Sequence, residues 1–358
     1  MIVREEWKPA VDPYLRSLSN EEGLTLIGIC DADSSAVADT IDMARREYRQ
    51  WIERGYHGSM DYMAAHELAK WNPGKMLPGV RSILFVGLNY YRRAGDSPGA
   101  AGRVARYAWG RDYHKELGGR LRRIARRLGE SFPDDRFRSF TDATPLAERW
   151  YAERAGIGFT GRNTLLINGS LGSWFVIGEV LSTRRFAPSE EAAGRHGACP
   201  RSCRRCIDVC PTGALYEDRR IDASRCISYL TIEHDGIIPE ELRPRMGDWV
   251  FGCDLCQEVC PLNIRVRPTE VAGFVRPIAG EYLDLAEILA IPDDAAFTKR
   301  FAGSPLMRAR RRRLLRNAII VAANQRRASL RPHIEQLSAD SDEVLAHHAR
   351  WALDHELV

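Results

Sequence analysis

The stretch CPRSCRRCIDVCPTGAL, residues 199–215, places four cysteines within twelve residues and closes them with Pro211. This is the strongest constraint in the chain, because thiols so closely spaced end in disulfides, in zinc or in an iron–sulfur cluster. Disulfides need an oxidising compartment. The N-terminus MIVREEWKPAVDPYLRSL is charged from Arg4 onward and has no apolar export core, so the expected setting is cytoplasmic, with reduced thiols. Zinc would take four thiolates from two C-x2-C pairs, but the detailed spacing favours the third answer. Cys203, Cys206, Cys210 and Pro211 spell C-x2-C-x3-C-P, the closing part of the bacterial ferredoxin run, and CDLCQEVCP repeats it with Cys253, Cys256, Cys260 and Pro261. In a two-cluster ferredoxin the last cysteine of each run serves the other cluster, so each cluster needs one further ligand. Cys199 and Cys226 are the two left in the region. The expected sets are Cys199, Cys203, Cys206 and Cys260 for one [4Fe–4S] cluster, and Cys210, Cys226, Cys253 and Cys256 for the other. Cys30, in the apolar stretch LTLIGICDAD, is expected to be a buried inert thiol. Cys199 and Cys203 are separated by three residues where the ferredoxin run has two, which alters the geometry of that ligand.

The rest of the chain is ordinary in composition. With 358 residues, 44% hydrophobic and 28% charged, it has room for two or three domains. It contains no apolar run approaching the roughly 18 residues that cross a membrane. AVADTIDMARREYRQWIERGY has helical periodicity, with Ile41, Ala44, Tyr48 and Ile52 available for one face. RDYHKELGGRLRRIARRLGESF reads as a second helix, and SILFVGLNYY (82–91) and SWFVIGEVLST (173–183) as buried strands. Helices and strands do not alternate regularly, so the expected class is α+β. Residues 1–190 form the expected catalytic part, 191–270 the cysteine module, and 271–358 a helical tail. RRRRLLRNAIIVAANQ and SDEVLAHHARWALDHEL in that tail pair like HEAT repeats. The formal net charge is only +4, yet RARRRRLLRN (308–317) concentrates six arginines. At helical spacing Arg308, Arg312 and Arg316 share a side, which makes either a row for phosphates or a solvated face.

Iron–sulfur clusters move single electrons, so the chain is either a carrier or feeds a catalytic site. No Gly-rich dinucleotide fingerprint and no Walker-type loop names the acceptor. A longer ordered set of segments does. TDATPLAERWYAERAGIGFTGRNTLLIN (141–168), GSWFVIGEVL (172–181), LPGVRSILFVGLNYY, YAWGRDYHKEL, the cysteine module and LLRNAIIVAAN together resemble the epoxyqueuosine reductases. The resemblance implies a nitroreductase-like cobalamin-binding domain, a ferredoxin-like two-cluster module and a HEAT-like tail. It also implies an external electron donor of reductase, ferredoxin or flavodoxin type, and a tRNA carrying epoxyqueuosine in its anticodon loop. A monomer is expected. Asp142 matches the family's acid, although a helix N-cap before PLAERWYAERAG would also explain it. Cobalamin contacts are implied at His57, Tyr107, Asp112, Tyr113, His114, Asp142, Arg162, Asn163, Leu166, Ile177 and Ser228, and tRNA contacts at Arg308, Arg312 and Arg316. Gly158 and Gly161 would let a planar ligand approach, or simply make a turn. Arg162 stands where the family has lysine, keeping the charge but not a transferable proton. The competing readings are a cobalamin-dependent reductase of a small molecule, such as an organohalide, and a pure electron-transfer protein.

Overall fold

The computed structural model describes residues 11–32, 38–96, 98–99, 101–189 and 197–355. The charged residues 1–10 and the expected boundary at 190–191 lie outside the described residues. A four-stranded antiparallel sheet runs in the order β1 (Leu26–Asp31), β2 (Ser82–Asn89), β7 (Phe175–Ser182), β4 (Phe137–Phe140). The two apolar runs of the sequence are its central strands. Every residue of β2 is buried, because both faces of the sheet are covered. Leu84, Val86 and Leu88 pack with the helices Pro13–Glu21 and Tyr113–Ser131, through Leu15, Leu18, Leu117 and Leu121. Ile83 and Phe85 point the other way, toward Leu146, Tyr151 and Ala152 at the helix Glu148–Arg154. A strand covered on both faces loses the apolar–polar alternation of a half-exposed one. Cys30 is buried on that second face, as expected. The helix Ala38–Glu53 buries Ile41 and half-buries Ala44, Tyr48 and Ile52, and Trp51 Nε1 donates to the Ile221 carbonyl at 2.6 Å.

A second sheet has β3 (Ala101–Val104) at its centre, parallel to β8 (Trp249–Phe251) and antiparallel to β9 (Tyr282–Asp284). Each of the three expected ranges contributes one strand. One apolar core, from Val104 through Phe251 to Ala352, likewise runs through all three. A short hairpin of β5 (Phe159–Thr160) and β6 (Leu166–Ile167) stands apart. In the tail, the helix Glu343–His355 packs on both Arg310–Asn324 and Arg331–Ser338. No helix among the described residues is long and apolar enough to cross a membrane.

The expected row of Arg308, Arg312 and Arg316 does not form. Arg308 ends the short turn Pro305–Arg308, and Arg310, the first residue of the long helix, takes a left-handed φ of 58°. Arg312 pairs with Asp235 at 3.4 Å and Asp342 at 2.7 Å. Arg316 is fully buried, donating to the carbonyls of Leu230, His234 and Gly236 and to Asn317 Oδ1. It faces the cysteine module and has no side toward a nucleic acid. The reason is that the loop after Cys226 leaves carbonyls unpaired inside the core, and an arginine fork can satisfy several at once.

Candidate active site

The two cysteine runs fold alike. The helical turn Arg205–Asp208 carries Cys206 and leads to Cys210 and Pro211, and the turn Leu255–Glu258 carries Cys256 and leads to Cys260 and Pro261. The turns pack on each other. Cys199, Cys203, Cys206 and Cys260 line one cavity with Arg162, Asn163 and Ile167. The Cys206 thiol is pushed up to about 11 by burial and then by Cys199, Cys260 and Cys203. The other four thiols gather separately. Burial raises Cys253, with Cys226 and Cys210 adding to it, and burial raises Cys256, with Cys253 and Cys226 adding to it. The fold therefore brings the eight cysteines together in two groups, with Cys260 crossing to the first run. Among the described residues, no three His, Cys, Asp or Glu side chains close on one point as a single ion requires.

Arg162 belongs to this first group. Its guanidinium donates to the carbonyls of Pro200 at 3.0 Å, Arg201 at 3.0 Å and Cys203 at 2.8 Å, and its backbone N–H points at Cys199 Sγ, 3.4 Å away. The Cys199–Cys203 loop is thus clamped by one guanidinium. The structure places the Arg162 side chain on the cysteine loop. Neighbouring Asn163 is buried, and its Nδ2 has no partner among the described residues. Gly158 and Gly161 are explained by the hairpin, because a Cβ at either would sit within 2.6 Å of an Ile167 atom. Leu166 packs in the core and Ile177 at its edge.

Asp142 lies in the loop between β4 and the helix Glu148–Arg154, with φ at 47° and an exposed side chain. It caps no helix. The helix starts six residues later, behind Ala147, which makes no side-chain cap bond. Instead Tyr113 Oη donates to Asp142 Oδ2 at 2.5 Å. Burial, then the Asp142 charge, raises the Tyr113 phenol far above its ordinary range, so it remains a donor. His114 stacks on Tyr113 at 4.1 Å, its Nε2 3.9 Å from Asp142 Oδ2. Its hydrogen bond to Asp112 raises it, and Asp112 also caps the helix Tyr113–Ser131 by accepting the His114 N–H. Tyr107 lies edge-on to Tyr113. On the far side Arg308 makes a two-point contact with Glu233, at 2.9 and 3.0 Å. Tyr62 feels the charges of Glu233, Arg308 and Asp142.

The cysteine module meets this neighbourhood through the helix Ile227–Ile232. Ser228 lies in its first turn, two residues after Cys226. Tyr229 Oη accepts the Ser59 N–H at 2.7 Å, which fixes the segment holding His57, whose Nδ1 is buried and unpartnered among the described residues. Sequence reasoning missed Tyr62 and Glu233 here, and the buried Glu179, which accepts from Thr144 of the loop that carries Asp142. Glu179 carried a signal, as the single acid in the apolar run 173–183.

Comparison with known proteins agrees with this arrangement. Residues 199–263 match the 4Fe–4S double cluster binding domain, and residues 70–143 match the family described as epoxyqueuosine reductase QueG. The epoxyqueuosine reductase of Alicycliphilus denitrificans is 36% identical over 95% of this chain and 97% of its own length. The crystal structure of an epoxyqueuosine reductase with an epoxyqueuosine-modified tRNA-Tyr stem loop is 29% identical, with a TM-score of 0.84 over 95% of this chain and 88% of that one. The Bacillus subtilis enzyme, with its catalytic loop swung out of the active site, is 29% identical with a TM-score of 0.81 over 95% and 88%. A likeness of this extent covers the whole catalytic and cysteine-bearing fold, and the chain belongs to the epoxyqueuosine reductase family.

Proposed function

We infer that this protein reduces epoxyqueuosine to queuosine at the wobble position of tRNA, the last step of queuosine biosynthesis. The observation that carries the reading is Asp142, exposed and held by Tyr113. The reaction removes an epoxide oxygen and leaves an alkene, so two electrons and two protons enter and one water leaves. The eight cysteines would hold two [4Fe–4S] clusters in the crossed sets, and these would supply single electrons taken from an external donor of reductase, ferredoxin or flavodoxin type. Cobalamin, when reduced, supplies the electrons that open the epoxide. The residues present fit that group. His57 and Asn163 each offer a buried polar atom without a partner among the described residues, and Tyr107, Tyr113 and His114 cluster beside Asp142. Asp142 gives a proton to the oxygen that leaves, since an alkoxide is a poor leaving group. Tyr113 orients the carboxyl.

Arg308 is proposed as a phosphate contact, because it is exposed and stands at the rim of this site. The reading includes a nitroreductase-like cobalamin-binding part over 1–190, a ferredoxin-like module over 191–270 and a HEAT-like tRNA-binding tail over 271–358. It places a monomer in the cytoplasm. The test is single-turnover conversion of an epoxyqueuosine stem loop by anaerobically loaded protein. Asp142→Asn should still bind clusters and tRNA while turnover falls about 100- to 10,000-fold. Unchanged queuosine in tRNA from a strain lacking this chain would overturn the function, and near-normal turnover in Asp142→Asn would remove Asp142 from the chemistry.

A further inference from the structure

The segment 308–316 spends most of its positive charge on the protein itself. Arg311 donates to the Ile291 carbonyl at 2.8 Å, Arg312 pairs with Asp235 and Asp342, and Arg313 and Arg316 are buried on carbonyls between Leu230 and Gly236. Arg308 is different. Its side chain is 60% exposed, and its Nε and Nη2 donate to Oε1 and Oε2 of Glu233 at 2.9 and 3.0 Å. A fork meeting two oxygens in this way is also how a guanidinium takes two oxygens of a phosphate.

The contact does little for the fold. An ion pair this open adds little to stability. Glu233 closes the helix Ile227–Ile232, its N–H donating to the Tyr229 carbonyl at 2.8 Å, and at that end the helix dipole favours a cation over a carboxylate. What lies beside the pair is more telling. The turn Pro305–Arg308 packs against the turn Arg106–Ala108, which carries Tyr107, and the N–H of Asp112 donates to the Gly303 carbonyl at 2.8 Å. Tyr107 is edge-on to Tyr113, the residue that holds Asp142. Arg308 and Asp142 thus stand on adjoining elements, and the helix that ends at Glu233 is preceded by the cluster residue Cys226.

We propose that Glu233 is a positioning residue that fills the phosphate site of Arg308 in the free protein and gives it up when tRNA binds. One anion replaces another. The carboxylate leaves the fork, a backbone phosphate enters it, and Glu233, 22% exposed, turns to water. An open arginine beside the site would hold any polyanion. A filled one yields only to a phosphate that the rest of a well-seated tRNA delivers to it, so the acid subtracts from every loose contact. The proposal rests on the reading of Arg308 as a phosphate contact given above.

A double-mutant cycle on the affinity of the full cluster-loaded chain for an unmodified tRNA-Tyr anticodon stem loop tests it. Glu233→Gln keeps the shape of the side chain and removes the charge that competes with phosphate. In the wild-type background it should tighten binding about two- to fivefold, the range that an exposed pair corresponds to. With Arg308→Gln already present the same change should give a clearly smaller gain, because only repulsion at longer range, screened by salt, is left to remove. Equal gains in the two backgrounds would make Glu233 a general repulsive charge, and unchanged or weaker binding in Glu233→Gln would make it a support for Arg308. Either result overturns the proposal. The thermal midpoint should stay near the wild type; if glutamine lowers it, Glu233→Ala is read in the same cycle, below the midpoints of all four proteins. Binding needs no turnover. The expected coupling in a protein inactive on epoxyqueuosine would count against the function and leave Glu233 in its role, whereas equal gains in a protein with full turnover would count against Glu233 alone.

Discussion

A planar fork at position 162 reaches three carbonyls of one cysteine loop, which the compact ammonium of a lysine could not do at once. Arg162→Lys should therefore loosen Cys199 and Cys203 while leaving the second group of thiols alone. We expect anaerobic protein with about eight irons to lose roughly half of them to a chelator faster than the wild type. Loss from both clusters together, or from neither, would speak against the clamp. The sequence displays both the lengthened loop and the unusual arginine, but as separate features. Their meeting is a contact across some forty positions, which spacing along the chain does not encode. Asp142 was legible for a different reason, by resemblance. Its support from Tyr113 was visible only as a neighbouring name, because the bond spans 29 positions.

At the scale of one helix, charge is a poor guide to exposure. Arg310–Asn324 reads as a basic surface, yet Arg313 and Arg316 point inward, Arg313 to Asp235 and the Ile232 carbonyl, Arg316 to three more carbonyls. Arg316→Ala leaves those carbonyls unpaired in the core, and the cost should be about 3 kcal/mol. That variant should lower the unfolding midpoint. Arg308→Gln should leave the midpoint near the wild type and instead lower the slope of tRNA affinity against salt by about one unit. The opposite pattern would return Arg316 to the surface and Arg308 to a structural pair with Glu233. Long apolar strands and long amphipathic helices were legible, since β2, β7 and Tyr113–Ser131 satisfy most of their own pattern locally. β3, β8 and β9 were not. Each is only three or four residues long, and exists because the other two are there.

For the molecule as a whole, that small sheet decides what can be cut. The range 271–358 looks separable in sequence, but β9 and much of the core that includes Val104 and Phe251 come from it. A chain ending at 270 should unfold without a cooperative transition, and calorimetry of the intact chain should show one transition spanning the cysteine module and the tail. A truncated chain that melts cooperatively would make the tail an independent unit. Synthesis on the ribosome meets the same constraint. β3 leaves the ribosome about 180 residues before β9, an interval of about 9 to 36 s at about 5–20 residues per second. Until β8 follows it, β3 has no strand partner at all, and the edge that faces β9 stays open to the end of the interval; an unpaired strand edge of this kind is where chains join one another. The nascent protein is thus most exposed to aggregation in the seconds before its last helices are made, and a chaperone that shields it must hold on until then.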